Sequence, residues 1–316
     1  MGVALALAER TRGATAPNPN VGCVIVRDGR VVGRGWTQAG GRPHAEAMAL
    51  AEAGDAARGA TAYVTLEPCA HESARGPACS DLLVAAGLAR VVAALEDPDP
   101  RTAGAGFARL AAAGIAVETG ARTAEARRSM SGFLTRSAFG RPQVTLKLAT
   151  SLDGCIAMAD GTSRWITGPQ ARAHAHLERS RHEAILVGRG TVEADAPTLD
   201  VRLEGLESRA PRRVMLSSRG LRKGWEVIAS PDAVSDLVGV DHLLVEGGAQ
   251  TAAAFLAADL VDRLLLYRAP ILIGAGKQAI GDIGIDLSAA HGRWTAIDAR
   301  QLGSDRLEVY ERARSD

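Results

Sequence analysis

The sequence predicts an α/β protein of two domains, and three observations carry that reading. Strand-like and helix-like segments alternate along both halves of the chain. The 316 residues exceed the roughly 150 residues of one domain. A stretch bearing Gly132, Gly140 and Pro142, SMSGFLTRSAFGRP, separates the two alternations and reads as a connector. The boundary is therefore expected near residue 140, with domains 1–140 and 141–316.

MGVALALAERTRG opens the chain as an amphipathic helix. VGCVIV, RDGR and VVGRGW form a β-hairpin turned by Asp28-Gly29, the dipeptide that accepts two positive φ angles. HAEAMALAEAG is a helix started by Pro43 and stopped by Gly54. ATAYVTL is a strand, CSDLLVAAGLA a helix and RVVAAL a strand, and FARLAAAGIAVETG gives a helix, a glycine break and a short strand. In the second half QVTLKLATS, AILVG, RRVMLS and HLLVEGG are strands, TAAAFLAADL is a helix and RLLLYRAPILIG a long strand.

Composition excludes several classes. The formal net charge is +1, from 37 basic and 36 acidic residues, with no polybasic block, so nucleic acid is not an expected partner. No apolar run approaches the ~20 residues of a membrane span. The N-terminal run lacks a basic start and a small-residue cleavage site, and is not a signal peptide. Four cysteines in so long a chain are not a secreted disulfide framework. The expected compartment is the cytoplasm, where paired cysteines point to metal or catalysis.

TLEPCAHESARGPACSDLL holds Cys69 and Cys79, and His44 stands upstream in His44-Ala45-Glu46. Together they form a His-Cys-Cys set, which suits a catalytic zinc that keeps its fourth position open. Residues two apart on a helix lie about 200° apart around its axis, so His44 and Glu46 meet one site only at the helix end. Pro68-Cys69 follows a strand and Cys79 precedes a helix, whose N-terminus favours a thiolate. Cys23 and Cys155 sit in apolar contexts and read as buried small hydrophobes. His71 is placed beside the substrate rather than on the metal. Asn18 and Asn20 can offer amides to a pyrimidine edge, and Arg75 in the long loop can meet a phosphate.

These residues resemble the zinc nucleoside and nucleobase deaminases, whose signature is His-x-Glu followed by Pro-Cys-x-x-Cys. The resemblance implies that Glu46 is the proton shuttle rather than a ligand. The cysteines here enclose nine residues instead of two.

The second half widens the likeness. QVTLKLATSLDGCIAMADGTSRWITG, ILVGRGTVEADAPTLDVR and LLVEGGAQTAAAFL resemble a dihydrofolate-reductase-like fold. With PNPNVGCVIV, PHAE and TLEPCAH in the first half, nearly the whole chain resembles the bifunctional riboflavin-biosynthesis deaminase/reductase family. The resemblance implies a cytidine-deaminase-like three-layer domain followed by the reductase domain. It implies hydrolytic deamination of 2,5-diamino-6-(5-phosphoribosylamino)pyrimidin-4-one, then NADPH-dependent reduction of the ribosyl group to ribityl. Zinc and NADPH are the implied cofactors, and a homodimer the implied assembly.

Residue by residue, it implies cofactor contacts at Ala149, Trp165, Thr191, Asp195 and Ser218. Gly248, Ala249, Gln250, Thr251, Ala252, Ala253 and Ala254 would line the cofactor phosphates. Ser163, Arg179, Leu199 and Arg202 would hold the ribose phosphate, and Glu246 would contact the substrate. Lys147 and Asp153 fall in a shared motif. The chain departs from the family at Asp195-Ala196-Pro197, where Asp-Asp-Pro is usual, and in a segment shortened between about 219 and 240. The rival reading is a deaminase of a nucleobase or tRNA with a vestigial reductase domain. A zinc-stapled nucleotide sensor is a further rival, disfavoured because it needs no Glu46.

Overall fold

In a computed structural model, which describes residues 1–71, 76–220 and 222–314, the chain divides into two compact units, Met1–Gly140 and Arg141–Asp316. Among the described residues no helix is long and apolar enough to cross a membrane.

The first unit is built on a five-stranded sheet. Its strands are β1 (Gly22–Arg27), β2 (Arg30–Trp36), β3 (Thr61–Val64), β4 (Arg90–Ala93) and β5 (Ala116–Glu118), in the order β2-β1-β3-β4-β5. The β1–β2 and β1–β3 pairs are antiparallel, and β3, β4 and β5 run parallel. Asp28 (φ 51°) and Gly29 (φ 74°) turn the β1–β2 hairpin, as the left-handed conformations of a type I′ turn require.

Helices α1 (Gly2–Ala8) and α2 (Ala45–Ala53) cover opposite faces of this sheet. Side chains alternate along a strand. A Cβ on Gly22 would overlap the Ala4 carbonyl, while one on Gly35, the register partner of Cys23, would overlap the Ala45 carbonyl. Helices α3 (Cys79–Ala85), α4 (Ala105–Ala112), α5 (Thr123–Ser129) and α6 (Ser131–Phe139) complete the unit. Its core gathers Cys23, Ile25, Val64, Leu66, Leu83, Val91, Leu110 and Met130. Cys23 is thus the buried small hydrophobe that its context suggested.

The close seat of α2 on β2 carries an expectation. Gly35→Ala pushes a methyl into the backbone between His44 and Glu46, at an expected cost of about 1–3 kcal/mol. A denaturant midpoint for the first unit equal to wild type contradicts it.

Three local readings are corrected. Pro43 lies outside its helix, because His44 is the extended N-cap (φ −73°, ψ 162°) and Ala45 the first helical residue. SMSGFLTRSAFGRP is mostly helix, not connector. Met130 is fully buried, Phe133 and Leu134 pack on the core, and the left-handed Gly140 ends α6. That burial overrides the helix-weakening Gly132. RLLLYRAPILIG stops as a strand at Arg268, because Pro270 cannot donate to a ladder.

The second unit holds eight strands in one sheet. They are β6 (Gln143–Thr150), β8 (Ala184–Gly188), β9 (Arg212–Leu216), β10 (Glu226–Ile228), β11 (His242–Val245), β12 (Val261–Arg268), β14 (Trp294–Leu302) and β15 (Asp305–Arg312). The order is β10-β9-β8-β11-β6-β12-β15-β14. The strands from β10 to β12 are parallel, and β15 and β14 add antiparallel. A small pair, β7 (Cys155–Ala157) and β13 (Lys277–Gln278), stands apart. Its helices are α7 (Pro169–Arg179), α8 (Arg189–Asp195), α9 (Ala249–Ala257) and α10 (Leu287–Ala290).

The parallel strands β8 and β11 are nearly continuous apolar runs, as strands covered on both faces are. The segment between β9 and β11, expected to be shortened, holds β10 and a 3₁₀ turn, Pro231–Asp236. The β14–β15 hairpin had no clear signal, because TAIDARQL is half exposed and lacks alternation.

Candidate active sites

Three elements of the first unit converge on one point. His44 caps α2, Cys69 follows the corner after β3, and Cys79 is the first residue of α3. The His44 Nδ1 atom lies 3.3 Å from Cys79 Sγ and 3.7 Å from Cys69 Sγ. All three ligand atoms fall within 4.8 Å of one another, and no other such group of three occurs among the described residues. Tetrahedral zinc with ordinary Zn–N and Zn–S bonds places nitrogen and sulfur ligands about 3.6 Å apart. The residues present fit a zinc ion. All four cysteines are free.

The surroundings set the chemistry of the thiols. The Cys79 backbone N–H donates to Cys69 Sγ at 3.2 Å. A hydrogen bond from the Cys79 thiol is the main pull on Cys69; burial opposes it, and His44 and the backbone N–H add to it, so the Cys69 thiol ionises well below its ordinary value. Asn18 donates to the Gly41 carbonyl at 2.7 Å and meets His44 Nε2 at 3.1 Å, holding the imidazole with Nδ1 toward the thiols.

Glu46 is 3% exposed and stands in the first turn of α2. Burial pushes its carboxyl up to about 7, against the opposing pull of His44, and it is hydrogen-bonded to Cys79. A carboxyl that titrates near neutrality can both take and return a proton.

One reading changes. Asn20 is buried and donates to the Ala8 and Ser129 carbonyls at 3.3 and 3.1 Å, so its amide N–H groups tie α1 to α5 rather than face a ligand. His71 stays outside the ligand group and meets Thr102 Oγ1 at 3.3 Å. Arg75 lies outside the described residues.

The second unit places its polar groups at the carboxyl ends of the parallel strands, where ligands of open α/β sheets bind. A cleft of about 240 Å³ is lined by Lys147, Ala149, Ser163, Trp165, Arg179 and Arg202 among others. A second cleft, about 470 Å³, is lined by Gly188, Ser217, Ser218, Arg219, Gln250 and Thr251 among others. Of the expected cofactor and substrate residues, Ala149, Ser163, Trp165, Arg179 and Arg202 line the first cleft and Ser218, Gln250 and Thr251 the second. Thr191 and Asp195 lie on α8, which supplies Glu193 and Arg189 to the larger cleft.

Within α9, Gly248 is the N-cap and the Ala252 N–H is already taken by the Gly248 carbonyl at 3.0 Å. Free amides for an anion therefore end at Thr251. Ala252 and Ala253 are buried. Leu199 turns into the core with Ile185, Val187 and Met215, at φ 54°, leaving only its backbone for a ligand.

Glu246 sits between Lys147, 3.6 Å away, and Arg179, whose Nε and Nη2 donate at 2.7 and 2.9 Å. Burial alone would raise its pKa. The charges of Lys147 and Arg179 outweigh that and hold it at about 2. Arg179 also donates through Nη1 to the Asp200 carbonyl at 3.0 Å, so all three of its nitrogens are engaged. Its role reads as anchoring Glu246 rather than gripping a phosphate. Asp153 accepts from Ser151 and from the Ile273 and Gly274 amides, which spends it on a loop.

Sequence reasoning missed Glu67. Its carboxylate is 3% exposed and accepts from four backbone amides. An acid wedged between Leu66 and Pro68 at a strand end was its only signal.

Comparison with known proteins agrees with both halves. Residues 1–95 match the family described as the cytidine and deoxycytidylate deaminase zinc-binding region, and residues 142–306 the RibD C-terminal domain. The riboflavin biosynthesis protein RibD of Escherichia coli (strain K12) is 40% identical, with 96% of each chain covered. The solved structure of Acinetobacter baumannii RibD matches with a TM-score of 0.88 at 37% identity, covering 99% of this chain and 98% of that one. The diaminohydroxyphosphoribosylaminopyrimidine deaminase/5-amino-6-(5-phosphoribosylamino)uracil reductase of Thermotoga maritima matches with a TM-score of 0.88 at 31% identity, over 99% and 97% of the two chains. With a His-Cys-Cys centre beside a buried glutamate in one unit and strand-end clefts in the other, the chain belongs to the RibD family of riboflavin biosynthesis proteins.

Proposed function

We propose that the chain performs two consecutive steps of riboflavin biosynthesis, with deamination in residues 1–140 and reduction in residues 141–316. The first step is hydrolytic deamination of 2,5-diamino-6-(5-phosphoribosylamino)pyrimidin-4-one, and the second reduces the ribosyl group to ribityl. The observation that carries the reading is the His44, Cys69 and Cys79 cluster beside buried Glu46, in a chain alike to RibD over 96% of its length.

His44, Cys69 and Cys79 would hold zinc, which supplies Lewis acidity that makes water nucleophilic at neutral pH. Glu46 takes one proton from the water and delivers it to the ring nitrogen, then takes the second from the added hydroxyl and delivers it to the departing amine. Water and substrate thereby give a carbonyl and ammonia. Asn18 keeps the His44 ring oriented, and His71 stands on the substrate side with Thr102 behind it.

In the second unit, NADPH supplies the hydride. Ala149 and Trp165 would hold its nicotinamide end, Ser218, Gln250 and Thr251, which line the larger cleft, would hold its phosphates, and Thr191 and Asp195 would contact it from α8. Arg202 and Ser163 face the ribose phosphate, while Arg179 holds Glu246 toward the substrate. Four free cysteines suit a reducing cytoplasm. A homodimer is proposed on the prevalence of two-fold assemblies.

The test supplies the diaminopyrimidinone ribosyl phosphate with zinc and NADPH. Ammonia release followed by NADPH oxidation is expected. If neither occurs with zinc bound, the reading is wrong.

A further inference from the structure

We propose that Glu67 is a positioning residue of the zinc centre, a buried carboxylate that sets the Cys69 corner and the facing 97–104 loop in one arrangement. This rests on the deaminase reading above.

Glu67 stands two residues before Cys69, just past the end of β3. Its Oε2 accepts from the backbone N–H of Asp97 at 3.2 Å and of Gly104 at 3.0 Å. Its Oε1 accepts from Gly106 at 2.9 Å and Phe107 at 3.1 Å. One oxygen thus holds both ends of the 97–104 loop, and the other holds the first turn of α4. Gly106 is packed so tightly on this corner that a Cβ would overlap the Pro68 carbonyl.

The loop held in this way carries Thr102, fully buried, whose hydroxyl meets His71. The corner carries Cys69, whose carbonyl accepts from the Ser80 backbone N–H at 3.1 Å and hydroxyl at 3.0 Å. Cys69 is therefore pinned through its carbonyl to α3 and through the neighbouring Glu67 to α4. A thiolate placed by two helices needs little rearrangement to meet His44 and Cys79. The carboxylate of Glu67 is taken up by four backbone amides rather than by the ligand atoms, so it acts through the backbone.

A charged acceptor suits four donors, since each oxygen takes two. Glutamine keeps the volume but replaces one oxygen with an NH₂ group, which then faces two N–H donors. Full-length Glu67→Gln is the variant that carries the test, because Glu67→Ala leaves four buried donors without an acceptor and compromises the fold.

Zinc affinity is read by competition with a chromogenic chelator, ligand geometry by the visible spectrum of the cobalt(II)-substituted protein, and kcat and KM by ammonia release. Reductase turnover controls for the rest of the chain. E67Q is expected to weaken zinc binding about 10- to 100-fold, to alter the cobalt bands, and to lower kcat more than KM, with unchanged reduction. Wild-type zinc affinity and cobalt spectrum in E67Q, with only a lower melting midpoint, overturn the proposal and leave Glu67 a stabilising residue. The zinc and cobalt readings need no substrate, so they decide the role of Glu67 even where the deaminase reading itself fails.

Discussion

Glu46→Gln protein is expected to bind zinc as wild type does, to retain NADPH oxidation with the deaminated substrate, and to lose deamination by about 10²- to 10⁴-fold. The residue is buried beside Cys79 in the first turn of α2, and it supplies no ligand atom to the His-Cys-Cys group. Glutamine matches its volume and can still accept a hydrogen bond, but it cannot carry a proton at neutral pH. Zinc content by metal analysis and ammonia release read the two halves of this expectation. Deamination at the wild-type rate would remove Glu46 from the mechanism.

The second large effect concerns the ion cluster in the other unit. Replacing Arg179 by methionine strips Glu246 of two hydrogen bonds at 2.7 and 2.9 Å in a site where both side chains are largely buried. Breaking such a pair from one side costs about 3–5 kcal/mol. The pH dependence follows from the depressed carboxyl. A folded pKa of about 2 lies below the unfolded value of about 4.3, so the stabilisation is fully present above pH ~4.3 and is lost as pH falls toward 2. The difference corresponds to about 3 kcal/mol.

In the Arg179→Met protein the burial of Glu246 is opposed only by Lys147 and, less strongly, His176. The carboxyl's folded pKa rises, and acid destabilisation begins at a higher pH. Tryptophan fluorescence reports the unit, since Trp165, Trp225 and Trp294 lie in it and only Trp36 lies in the other. Coincident acid-unfolding curves for the two proteins would show that Arg179 does not hold Glu246.

The β1–β2 hairpin was legible because Asp28-Gly29 marks the turn and VGCVIV the strand. The apolar parallel strands β8 and β11 were legible for the same local reason, a continuous hydrophobic run. The β14–β15 hairpin was not, since β14 lacks an apolar/polar alternation even though it pairs locally with β15, Leu302 opposite Asp305 across Gly303-Ser304. Helix α6 was hidden by its glycine, and only the burial of Met130 shows why it forms.

The zinc centre divides the same way. His44, Glu46, Cys69 and Cys79 were readable because a metal and a proton shuttle demand particular residue types, and side-chain chemistry is written in the sequence. So was the family, through PHAE, TLEPC and VEGG in their order. What each polar group spends its hydrogen bonds on was decided only in three dimensions. Asn20 turned inward to the Ala8 and Ser129 carbonyls, and Leu199 turned into the core. Arg179 closed on Glu246, 67 residues away, and Glu67 gathered amides 30 to 40 residues distant. A donor or acceptor can be counted along a chain, but its partner is chosen by packing, because burial penalises every polar group left unpaired.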